Sequence, residues 1–207
     1  MNDPIIRVTP VPDYFNITWM LGSRCNYDCM YCPTELHDMT SRPHDLKTMQ
    51  QVWKNLYEKT KDKNLLYKIS FTGGEVTANK NFLPLIEWLR ATYQNISMIL
   101  ITTNGSASLR YYTKLAKSIE SISFSTHSEF MNEQDFFDKV GAIDKLMIRP
   151  KKSVHVNIMD EYWNQARIEL YTSWLQAHNI SHSVNSINYE KQTRNYIIKK
   201  GTTNLVI

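Results

Sequence analysis

The sequence predicts an α/β protein, a partial (β/α)6 TIM-like barrel of parallel strands with outer helices. Three observations predict it. Short runs rich in Ile, Val, Phe, Thr and Ser alternate with longer runs whose apolar residues recur at helical spacing. The alternation continues along nearly the whole chain, which calls for parallel strands joined by right-handed crossovers. Each β-rich run also ends in a turn-like cluster that carries polar residues. A doubly wound sheet would produce the same periodicity and stays open at this point. The 207 residues suit one domain.

The strand candidates are FNITWML (15–21), YKISFTG (67–73), SMILITTN (97–104), SISFST (121–126), SVHVNIM (153–159) and HSVNSIN (182–188). Between them lie five helical patterns. Residues 46–60 carry Met49, Val52, Trp53, Leu56 and Tyr57 on one stripe, and 81–93 carry Phe82, Leu85, Ile86 and Leu89. Residues 109–119 and 133–146 follow, and 161–178 carry Trp163, Ile168, Tyr171 and Leu175. Such stripes are read as core. Residues 1–14 are read as an N-terminal extension, 15–188 as the barrel core, and 189–207 as a short tail with a hairpin around Lys200 and Gly201.

Composition narrows the function classes. Hydrophobic residues make up 42% and charged residues 21%, an ordinary globular balance. No apolar run reaches bilayer length, and the first residues lack the pattern of a signal peptide, so a cytoplasmic protein without a membrane partner is expected. The net charge of +4 is mild and scattered, and argues against nucleic acid as a partner.

All three cysteines fall in CNYDCMYC, at positions 25, 29 and 32. An odd count in eight residues does not make a disulfide framework; it fits a metal site in a reducing compartment. The loop follows the first strand candidate, and loops after strands form the reactive face of a parallel α/β barrel. Structural zinc needs a fourth ligand, which His37 would supply, giving a non-catalytic metal-binding module. The other reading is a [4Fe–4S] cluster on Cys25, Cys29 and Cys32. Clusters are ordinarily held by four cysteines, so three leave one iron open to an exogenous ligand.

These residues resemble the C-x3-C-x-aromatic-C signature of radical S-adenosylmethionine (radical SAM) enzymes. The resemblance implies that S-adenosylmethionine chelates the open iron and that its reductive cleavage gives a 5′-deoxyadenosyl radical, which abstracts hydrogen from a substrate. It implies that Tyr31 lies near the adenine. It makes demands at the other strand ends too. Gly73, Gly74 and Glu75 are similar to the family's GGE motif, which receives the methionyl ammonium. Glycines let backbone approach a ligand, and a carboxylate pairs with a cation.

Asn104, in TTNG, is read as a ligand contact or a turn residue before Gly105. Ser123 and Ser125 share a face by period two and resemble hydroxyls that hold ribose or carboxylate, with satisfied core serines the alternative. Asn157 and the backbone near Met159 correspond to ribose and adenine contacts. His127, just past the fourth strand candidate, is read as an acid–base group, a substrate contact or a cap. His37 and His44, in a loop that borders the mouth, are read as solvated loop histidines, with a substrate-side role the alternative. The resemblance runs from about Phe15 to Asn188. It implies an oxygen-sensitive enzyme with a flavodoxin- or ferredoxin-like electron donor. With no further cysteine, the chain ligates no auxiliary cluster. A small-molecule substrate (a sugar, nucleotide or cofactor precursor) is preferred over a peptide or a partner protein to be activated, because aromatic content near the mouth reads as modest.

Overall fold

A computed structural model describes residues 5–11, 14–33, 37–63, 65–148 and 152–187. Seven strands form one sheet in strictly sequential order. They are β1 (Ile5–Val11), β2 (Tyr14–Met20), β3 (Leu66–Thr72), β4 (Ile96–Thr103), β5 (Ser121–Ser125), β6 (Ser153–Asp160) and β7 (Ser181–Ser186). Strands β2 to β7 are parallel throughout. A doubly wound sheet reverses its strand order at a switch point; this sheet never does, so it is wound in one direction only, as a partial barrel is. The crossovers are α1 (Leu46–Thr60), α2 (Phe82–Thr92), α3 (Leu109–Leu115), α4 (Glu133–Leu146) and α5 (Gln165–Ala177). No helix among the described residues is long and apolar enough to cross a membrane.

Alternation along each strand sorts side chains onto two faces. One face is apolar and packed under the helices. Phe15, Ile17 and Trp19 of β2, Tyr67, Ile69 and Phe71 of β3, and Ile122 and Phe124 of β5 are all buried. Trp19 stacks on Trp53 of α1 at 6.2 Å and on Phe71 at 5.3 Å. An aromatic of this size hides about 200 Å², which contributes about 5 kcal/mol at ~25 cal/mol per Å², an upper figure because the unfolded chain already covers part of it. The sheet is therefore held from its helix side.

The opposite, inward face is different in kind. It carries Asn16 and Thr18 from β2, Lys68, Ser70 and Thr72 from β3, and Ser121, Ser123 and Ser125 from β5. It continues with His155 and Asn157 from β6 and Ser181 and Ser183 from β7, all in register across the sheet. A closed barrel fills this space with bulky aliphatic side chains. Here β4 supplies Met98 and Leu100, but hydroxyls dominate, and Thr102 is exposed.

Three differences from the sequence reading have physical causes. The N-terminal extension contains β1, which pairs antiparallel with β2 at the sheet edge; Pro10 obscured it, and an edge strand is where proline is tolerated. Helix α5 starts at Gln165 and not at 161, because a turn in which the Asn164 N–H donates to the Glu161 carbonyl (2.8 Å) occupies the interval. Helix α3 stops at Leu115, where Lys117 and Ser118 close short turns onto Lys114 and Leu115. The hairpin expected around Lys200 lies outside the described residues.

Candidate active site

The cysteine loop leaves the C-terminal end of β2. Its neck is tied by backbone hydrogen bonds from Cys25 N–H to the Asp38 carbonyl (2.9 Å) and from Asp38 N–H to the Ser23 carbonyl (2.9 Å). The Arg24 guanidinium donates to the carbonyls of Met39 (2.9 Å) and Ser41 (3.0 Å). All three cysteines are free thiols and line one cavity that opens to solvent. Burial pushes the thiol pKa of Cys25 and Cys29 up, for Cys29 with the Glu129 carboxylate adding to it. Iron would have to displace their protons on binding.

The turn after β3 forms the facing wall. The Gly73 backbone has φ +139°, a region that favours glycine. At Gly74 a Cβ would fall 2.1 Å from the Arg24 carbonyl oxygen. The turn is drawn against the neck of the cysteine loop by Gly74 N–H to Gly22 O (2.8 Å) and Glu75 N–H to Arg24 O (2.8 Å). The carbonyls of Gly73 and Gly74 accept no hydrogen bond among the described residues.

Glu75 is 4% exposed. One carboxylate oxygen accepts from Thr77 N–H (2.9 Å), Thr77 Oγ1 (2.7 Å) and Thr103 Oγ1 (2.7 Å), and the other from Asn104 N–H (2.6 Å). Burial raises its pKa against the pull of these donors. The carboxylate thus clamps the end of β3 to the end of β4, and the open acceptors on the turn are the glycine carbonyls. Glu75→Ala leaves buried donors without an acceptor, so thermal or urea unfolding should show a loss of about 3 kcal/mol. Glu75→Gln, which keeps an acceptor oxygen, should lose clearly less.

Asn104 makes the turn read for it and also lines the cavity. Its Oδ1 accepts from Ser106 N–H (3.0 Å), making the turn, while its Nδ2 reaches Asn26 Oδ1 (3.0 Å) and lies 3.9 Å from Cys25 Sγ. Ser125 lines the cavity. Asn157 stands one step back, donating to Ser125 Oγ (3.3 Å). Ser123 lies two residues down the same inner face and is not among the residues lining the cavity. Met159 lines it, with its N–H held by Thr126 Oγ1 (3.0 Å).

Tyr31 is buried and stacks on His127 with the ring planes 10° apart. Tyr31 Oη lies 2.5 Å from His127 Nδ1, and Cys29 Sγ lies 3.3 Å from the same nitrogen. Burial holds the imidazole down to about 4, so the ring is neutral near pH 7. Next to this pair the Glu161 carboxylate accepts from Ser128 N–H and Oγ, and its charge helps push the Tyr31 phenol pKa up.

His37 corrects the sequence reading. It is 3% exposed, not solvated, because its Nε2 turns to the Tyr27 carbonyl. Among the described residues no three Cys, His, Asp or Glu side chains converge on a point that would hold one ion. The three thiols and His37 nevertheless line the same cavity. Aromatic content at the mouth is also higher than the sequence reading held. Tyr27 stacks on Phe130 at 5.3 Å, and Trp163 lies 6.5 Å from Tyr31 and 4.7 Å from Tyr162. These rings come from separate loops, so local sequence did not group them. Thr72, Thr102, Thr103 and Glu161 were missed. Period two from the glycine turn would have put Thr72 inward.

A model described as "Radical SAM superfamily" matches residues 19–159. GTP 3',8-cyclase of Pasteurella multocida (strain Pm70) is 30% identical over 104 residues, covering 50% of this chain and 30% of that protein. The S-adenosylmethionine-dependent nucleotide dehydratase of Selenomonas ruminantium is 27% identical over 95 residues, covering 46% of this chain and 31% of that protein. Streptococcus suis SuiB bound to precursor peptide SuiA shares the fold, with a TM-score of 0.64 at 16% identity over 96% of this chain and 47% of that one. The chain spans less than half the length of each of these proteins.

Proposed function

Because the chain belongs to the radical SAM superfamily, with the family match running over residues 19–159, we propose that it is an enzyme that holds a [4Fe–4S] cluster on Cys25, Cys29 and Cys32 and uses S-adenosylmethionine. The observation that carries this reading is the convergence of the three free thiols and the Gly73–Gly74 turn on one cavity at the strand ends. When bound, the cluster and cofactor supply reductive cleavage to a 5′-deoxyadenosyl radical that takes a hydrogen atom from the substrate.

The chain's own residues bind and orient. The glycine carbonyls receive the methionyl ammonium, backed by the negative charge of Glu75. Asn104 and Ser125 offer hydrogen bonds at the cavity wall, with Asn157 supporting Ser125 and Ser123 continuing the polar face below. Tyr31 and Met159 frame the adenine. His127 fixes Tyr31 beside Cys29 and is a positioning residue. An electron donor of flavodoxin or ferredoxin type is the expected partner, in the cytoplasm.

The substrate is a small molecule, a sugar, nucleotide or cofactor precursor; two relatives are named for GTP and nucleotide chemistry. A peptide is the second reading, favoured by the aromatic rim of Tyr27, Phe130, Tyr162 and Trp163. Protein reconstituted anaerobically with iron and sulfide, then given S-adenosylmethionine and dithionite, should turn brown and release 5′-deoxyadenosine. A colourless protein holding one zinc, or a cluster-loaded protein that never yields 5′-deoxyadenosine, overturns the reading.

A further inference from the structure

The inward face of the sheet has two unlike walls. On the β5–β7 side the polar groups bond one another. Asn157 donates to Ser125, Ser183 donates to Asn157 (3.3 Å), and His155 bonds Ser181 (2.9 Å) and Ser183 (3.1 Å). On the β2–β3 side the side chains of Thr18, Lys68 and Ser70 make no hydrogen bond or ion pair among the described residues. Lys68 is in register with Asn16 and Met98, and Ser70 with Thr18 and Leu100. All of these share the face of Thr72, which lines the cysteine cavity. Four residues of strand separate Lys68 from Thr72, about 13 Å.

No inward-pointing position of β2 to β7 carries a carboxylate, and Lys68 is the one lysine or arginine among them. An ammonium with no counter-ion among the described residues, beside hydroxyls that are unbonded among them and in line with the mouth of the cavity, is a half-made oxyanion site. A lysine ammonium acts as a compact point charge for phosphate.

We infer that the inner face is the substrate trough and that Lys68 binds the phosphate of a phosphorylated, hydroxyl-bearing small molecule, a nucleotide or sugar phosphate. The molecule lies along β2 and β3, its phosphate at Lys68, its hydroxyls toward Thr18 and Ser70, and its reacting carbon toward Thr72 at the mouth. The span from Lys68 to the mouth matches the length of a nucleotide. The inference rests on the reading above and gives its substrate a chemical class.

The test is calorimetric titration of the reconstituted full chain with GTP, CTP and glucose 6-phosphate, each against guanosine, cytidine or glucose. At least one phosphorylated probe should bind tenfold or more tighter than its parent, and less tightly as salt rises. Lys68→Ala should lose about tenfold or more in affinity for that probe, Lys68→Arg should recover most of it, and the affinity for the parent should stay level. Iron content and melting temperature report whether each variant is folded and loaded. Phosphorylated probes that bind no tighter than their parents, or a Lys68→Ala protein with wild-type affinity, overturn the inference, because Lys68 is then a solvated cation or is covered by another part of the chain. Failure to cleave S-adenosylmethionine would instead overturn the earlier reading and leave phosphate affinity standing.

Discussion

Cys29→Ala protein reconstituted with iron and sulfide will hold no [4Fe–4S] cluster, its iron falling from about four per chain to below one. The chain has three cysteines and no substitute among them. Cys29 is buried and stands between the other two, with His127 Nδ1 3.3 Å from its sulfur. Two remaining thiolates cannot anchor three iron corners. The loss will not be a folding defect. Cys29, Met30 and Tyr31 form their own small apolar cluster, apart from the core packed between sheet and helices. Circular dichroism and the melting temperature of the metal-free variant should match those of metal-free wild type. Iron and sulfide analysis with electron paramagnetic resonance of the reduced protein checks the outcome. Wild-type iron and signal in this variant would remove Cys29 from the ligand set.

Gly74→Ala should lower stability by about 5 kcal/mol, since among the described glycines an added carbon meets backbone most closely at Gly74. The new carbon would meet the Arg24 carbonyl oxygen at 2.1 Å, its carbon at 2.4 Å and the Ser23 oxygen at 2.5 Å. These are backbone atoms and have no rotamer into which to retreat. The β3 turn would have to part from the neck of the cysteine loop, breaking the bonds that Gly74 and Glu75 make to Gly22 and Arg24. Denaturant unfolding measures the loss. Gly141→Ala serves as the control, since its added carbon would rest 3.5 Å from Trp174 in ordinary contact. A Gly74→Ala protein as stable as wild type would mean that the two loops are not in contact.

Much of the fold was legible because two periodicities dominate the chain. Helices α1 and α4 match the sequence reading end to end, and the six parallel strands fall within a residue or two of theirs. Winding was not legible, since strand order depends on register between distant segments. The loop residues that matter were visible as residue types, Cys25, Cys29, Cys32 and Gly73 to Glu75. What their side chains do was only partly visible. Glu75 reads as a ligand group from its motif, yet its carboxylate is occupied by Thr77, Thr103 and Asn104, two of which lie almost thirty positions away. His127 shared no local pattern with Tyr31, 96 residues earlier, and His37 gave no hint that the Tyr27 carbonyl would draw it inside. Ser123 and Ser125 betrayed one rung of the inner face; the full polar surface emerged only when six strands were aligned.

The knot of hydrogen bonds joining Ser23, Arg24 and Cys25 to Asp38, Met39 and Ser41 divides construction into two jobs. That closure is made by the chain's own backbone and guanidinium groups, so the neck of the loop is fixed with nothing bound inside it. On the reading proposed above, a cluster lost to oxygen would then be replaced by refilling a standing loop and not by refolding the chain.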